Sequence, residues 1–187
     1  MRAGFWVLVT RGFDVRIPLT YDARPMSGSL HAWYSLRDLE ALAGRGTALR
    51  GELAVDKLPR LVSLLDSGDG SVRATLTFSQ RRDGWVGATL EYDAAVQLVC
   101  QRCLEPFRHE WAARVEVVLA DVAALPSNVP EGHEPFELEG GKLQPVQLIE
   151  DELIVALPRV PKHAGIADCG SLARNLAGLA ADDAAER

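Results

Sequence analysis

Cys100-Gln101-Arg102-Cys103 carries the sharpest chemistry in the chain, because two cysteines two residues apart at the end of a strand can fold into a knuckle whose sulfurs face one metal ion. Tetrahedral zinc takes four such donors, and His163 and Cys169, further along in a proline-rich stretch, are candidates for the other two. A closed site of three cysteines and one histidine would staple a sheet to the segment after a helix. His109 is a rival for the fourth place. The same pair also admits reduced structural cysteines or thiol redox chemistry. The redox reading wants a helix N-terminus beside the first thiol, whereas strands flank the pair here on both sides.

Enzyme templates find no purchase. There is no glycine-rich phosphate loop, no nucleophile elbow and no His-Glu-x-x-His helix. Glu150, Asp151 and Glu152 occupy three successive helix positions, which fan round the axis and do not converge on one substrate. They are expected on an outward, partner-facing surface. Trp33 and Tyr34, beside Arg37, are candidates for base stacking, and Arg16, Arg24, Arg37 and Arg45, in the basic N-terminal third, for phosphate contacts.

The elements that must position these groups follow from periodicity. Val15 to Leu19 alternates as a short edge strand, and Ser35 is placed to cap a helix carrying Leu36, Leu39 and Leu42, with Asp38 in its first turn and Gly44 and Gly46 beyond its end. From Leu49 to Leu119 the dominant period is two, giving strands over 49–55, 72–78, 85–92, 96–100 and 111–119. Asp83-Gly84 suits a hairpin turn. Residues 121–144 are expected to form a long acidic loop. Pro145 then starts a helix whose apolar stripe runs through Val146, Ile149, Leu153, Ala156 and Leu157 before Pro158 ends it.

The fold class that results is α+β: an antiparallel sheet or open β-barrel of about five to seven strands, with one N-terminal and one C-terminal helix and a zinc staple as an option. Residues 1–13 are expected to be a poorly ordered extension, 14–170 a single domain, and 171–187 an alanine-rich tail, mobile or loosely helical. The 187 residues are 48% apolar, enough for one substantial core, and no stretch reaches the run of apolar residues that spans a membrane. Three cysteines are too few for a secreted disulfide framework, which points to a reducing, cytoplasmic setting. The net charge of -6 is unevenly spread: +3 over residues 1–60, -2 over 61–120 and -7 over 121–187. A basic end can meet phosphate, and an acidic end attracts basic proteins.

Two segments resemble a known family. Val99-Cys100-Gln101-Arg102-Cys103-Leu104-Glu105-Pro106-Phe107 is similar to the Cys-x-Arg-Cys-x-x-x-Phe segment of the YceD, or large ribosomal RNA subunit accumulation protein, family. Glu150 to His163, running through Leu157-Pro158-Arg159-Val160-Pro161-Lys162-His163 and followed by Cys169, is similar to the family's second signature. The resemblance implies a bacterial factor that supports synthesis, processing or accumulation of large-subunit (23S) ribosomal RNA, with no agreed catalytic site. The expected partners are precursor rRNA, a basic ribosomal protein, or both, with no membrane. The competing readings are a metal-dependent hydrolase of precursor rRNA, with Glu150, Asp151 and Glu152 holding magnesium, and a zinc-stapled interaction module without an RNA role.

Overall fold

The computed structural model describes residues 29–81, 85–120 and 134–170. The strand expected over 15–19, Arg16, Arg24, the Asp83-Gly84 turn, the extension over 1–13 and the tail over 171–187 lie outside them, as does most of the acidic loop.

Strict alternation builds the sheet. β2 (Ala48–Ala54), β3 (Gly70–Gln80), β4 (Val86–Val99) and β5 (Pro106–Ala120) pair antiparallel in that order. The register sets Val72 against Ala94, Ala74 against Tyr92, Leu76 against Leu90 and Phe78 against Ala88, so one face of the two central strands is wholly apolar. The opposite face carries charge at matching positions. Arg50, Thr75, Glu91 and Arg114 form one cross-strand row there, in which Arg114 donates to Glu91 at 2.8 Å. Gly70 opens β3 with a φ of +143°, and a Cβ there would lie 2.2 Å from the Ala95 carbonyl oxygen, so only glycine lets the two strands close at this point.

Helices cover the apolar face. α1 (Leu36–Gly44) begins as expected: the Ser35 hydroxyl accepts from the Asp38 amide, and the Asp38 carboxylate accepts from the Ser35 amide at 2.9 Å. Leu39 and Leu42 are buried, while Leu36 stays substantially exposed. α3 (Pro145–Ala156) buries Leu148, Ile149 and Leu153. This face is rotated from the expected stripe: Ala156 is exposed and Val146 only half-buried.

Three further corrections concern the elements. The strands expected over 85–92 and 96–100 are one continuous strand, because Asp93 falls on the open face and Ala94 on the core face, which preserves the alternation. The expected acidic loop contains β6 (Glu134–Glu137), which adds parallel to β5, and β7 (Lys142–Leu143), which pairs with β1 (Tyr34–Ser35). Leu138 and Leu143 anchor this segment in the core. Between β2 and β3 a 3-10 turn (Val55–Lys57) and the four-residue α2 (Pro59–Val62) bury Val55, Leu58 and Leu61; they are too short to show a period. Among the described residues no helix is long and apolar enough to cross a membrane.

Candidate metal centre

β4 and β5 are the longest strands of the sheet, and the reversal that joins them is the Cys-x-x-Cys segment. The Cys100 amide donates to the Glu105 carbonyl at 3.0 Å and the Leu104 amide to the Cys100 carbonyl at 2.8 Å, which closes the turn and holds both sulfurs on its inner side. Leu104 completes the reversal with a left-handed φ of 61°. The chain leaving α3 comes back to this turn, where the Gln101 amide donates to the Pro161 carbonyl at 2.8 Å.

That return brings His163 and Cys169 to the knuckle. Donor atoms of Cys100, Cys103, His163 and Cys169 all lie within 4.8 Å of one another, with the three cysteines buried and His163 half-buried. His163 Nδ1 is 3.5 Å from Cys103 Sγ and 3.8 Å from Cys169 Sγ. Phe107 seals one side, its ring centroid 4.9 Å from that of His163. His109, the rival ligand, is not in the cluster. It lies on β5 and stacks on Trp111, with ring centroids 5.1 Å apart.

The electrostatics favour the thiolate form at Cys100. Burial opposes ionisation of Cys100, but amides of His163, Arg102 and Cys103 and the His163 ring aim at its sulfur and bring its pKa down to about 5. Burial pushes the Cys169 thiol up, against the hydrogen bond from Arg102. Three sulfurs and one nitrogen, converging and shielded from solvent, are a donor set that suits a tetrahedral zinc ion with no coordination position left for a substrate.

A family model described as "Large ribosomal RNA subunit accumulation protein YceD" matches residues 88–185, more than half of the chain and all four of these side chains. The chain belongs to the YceD family. A curated relative, the large ribosomal RNA subunit accumulation protein YceD of Haemophilus influenzae, is 32% identical over 117 residues, or 61% of this chain. The match covers 66% of that relative's length, just under two thirds. No solved structure matches.

The second YceD signature behaves differently from expectation at its acidic end. Glu150 does not face outward: it is 5% exposed, and its carboxylate accepts from the amides of Arg60 at 2.8 Å and Leu61 at 3.1 Å and from Arg60 Nε at 3.1 Å. Asp151 pairs with the same guanidinium through Nη1. Glu152 is half-buried on another side of the helix, close enough to Tyr92 to add to the burial that raises the pKa of that phenol. Glu150 and Asp151 therefore share Arg60 while Glu152 lies near Tyr92, and the first two fasten α3 to α2. The residue that sequence reasoning missed is Arg60, 90 positions away from Glu150 on an element without a periodic signal.

Of the arginines expected to meet RNA in this YceD-family chain, Arg37 and Arg45 are exposed. They sit at opposite ends of α1, about 12 Å apart along its axis, and so do not form one tight phosphate site. Trp33, just before α1, is exposed, whereas the Tyr34 hydroxyl donates to the Ser29 carbonyl at 3.0 Å.

Proposed function

We propose that this chain is a non-enzymatic factor that supports accumulation of large-subunit ribosomal RNA by binding precursor rRNA, a basic ribosomal protein, or both, and that a structural zinc ion staples its hairpin to the segment after α3. The observation that carries the reading is that the family match and the two family signatures meet in space at the Cys100, Cys103, His163 and Cys169 cluster. A zinc ion there would contribute folding free energy and leave the chemistry of the bound RNA untouched. The donors fit that role because the three cysteines are buried and the four come from two chain segments that the ion would join.

Two measurements test the reading. Protein purified without chelator or histidine tag is expected to carry about one zinc per chain, and zinc contents near zero with freely titratable thiols would remove the staple. In a bacterial strain lacking the gene, large-subunit rRNA is expected to fall, to recover with the wild-type chain, and not to recover with Cys100→Ser or Cys169→Ser. Crosslinking and sequencing of bound RNA, with mass spectrometry of co-purifying proteins, then identifies the partner. Site-specific cleavage of precursor RNA by the purified protein with magnesium would instead make the chain a hydrolase.

A further inference from the structure

The geometry points to Arg102 as the positioning residue of the metal centre, the group that holds both loop ligands in place and offsets the charge of the loaded site. This rests on the zinc reading above. The residue stands inside the knuckle, between the two hairpin cysteines, yet its side chain reaches across to the other half of the site. Its Nε donates to Cys169 Sγ at 2.9 Å, and its Nη2 donates to the backbone carbonyls of His163 at 3.2 Å and Gly165 at 2.7 Å. One guanidinium thus touches the sulfur of one loop ligand and the backbone of the other.

The loop is shaped to receive it. The Gly165 amide donates to the Asp168 carboxylate at 2.9 Å and the Cys169 amide to the Ile166 carbonyl at 3.1 Å, which turns the chain tightly between His163 and Cys169 and leaves the carbonyls of His163 and Gly165 aimed at Arg102. Cys169 itself is 2% exposed.

Charge explains why an arginine is suited to this place. Three thiolates, a neutral imidazole and a divalent ion sum to a net negative charge, and a buried net charge is costly unless it is paired and hydrogen-bonded. Among the described residues Arg102 is the cation seen donating to a ligand sulfur. A lysine would keep the charge but is a point donor on a flexible stem. It cannot direct separate N–H groups at a sulfur and two carbonyls from one rigid plane.

The test uses the full chain, stripped of metal and titrated with cobalt(II), alongside Arg102→Met and Arg102→Lys. Wild-type protein is expected to show the absorption bands of tetrahedral cobalt bound to thiolates. Arg102→Met is expected to bind the same amount about 10- to 100-fold more weakly in competition with a chromophoric chelator. Its sulfur-to-cobalt charge-transfer band should move to longer wavelength, because a sulfur that loses a hydrogen bond gives up its electrons more readily. Arg102→Lys should fall between the two in affinity and band position. An Arg102→Met variant that matches wild type in affinity and band position overturns the inference and leaves the metal site standing. If that variant proves unfolded by circular dichroism, Arg102→Lys decides, and wild-type behaviour in it overturns the inference. Wild-type protein without cobalt–thiolate bands removes the metal reading and this inference with it.

Discussion

Leu104 occupies backbone space in which a side chain is unfavourable. Its φ of 61° costs an L-residue about 1–2 kcal/mol, and the residue is 71% exposed, so packing recovers little of that cost. Leu104→Gly is expected to raise stability to chemical denaturation by about 0.5–1 kcal/mol, after allowing for the greater backbone freedom of glycine in the unfolded chain. Leu104→Val, β-branched and poorly suited to this region, should lower it. Glu150 presents the opposite case. Glu150→Ala would strand the amides of Arg60 and Leu61 and is expected to cost about 2–4 kcal/mol. Asp151→Ala, at a half-exposed pair, should cost less than about 1 kcal/mol; equal losses in urea melts of the two variants would contradict this assignment. That Cys100, Cys103, His163 and Cys169 come together was legible in the sequence, because a cysteine pair at a strand end followed by a late histidine and cysteine is a spacing that metal ligands use. The roles of Arg102 and Arg60 were not, since each depends on a partner some 60 or 90 residues distant.

Among the elements, α1 is the one whose start can be read residue by residue. Ser35→Ala is expected to cost about 1 kcal/mol in thermal or denaturant unfolding. The same box gives a pH dependence of known sign. The Ser35 hydroxyl and amide hold Asp38 below its ordinary value of 3.8, so the native state binds that proton less readily than the unfolded state. The resulting stability is present above that pH and is lost as the pH falls through the lower native value. Asp38→Asn should therefore flatten the acid limb of the stability curve, and an unchanged limb would show that the box contributes nothing to it. Strands were legible where alternation used bulky residues. β4 looked like two strands because Asp93, Ala94 and Ala95 interrupt that signal without breaking the alternation itself. β6 was hidden by its composition, since a Glu-Pro-Phe-Glu run looks like loop until Phe136 and Leu138 are seen against the core.

At the scale of the whole molecule, the expected α+β architecture with an antiparallel sheet is what the chain forms, with β6 as the parallel exception. The expectation of an outward acidic surface on α3 failed for Glu150 because charge counted along a chain says nothing about which charges meet an arginine. Reversing Glu150, Asp151 and Glu152 to lysine should therefore unfold the chain, as judged by circular dichroism, instead of leaving an intact surface variant. The knuckle has one more consequence. Cys103 and His163 are 60 residues apart in sequence, so an ion bound to both closes a large ring in the chain. Such a ring removes conformations from the denatured ensemble, and a cross-link of that span is worth about 4 kcal/mol in the chain-entropy account. The metal would then stabilise the protein as a reversible substitute for a disulfide, acting on the unfolded chain as much as on the folded one. Chelation should lower the wild-type melting temperature by roughly 8–16 °C. A His163→Ala, Cys169→Ala variant, which keeps the knuckle but cannot close the ring, should melt at the same temperature with or without chelator.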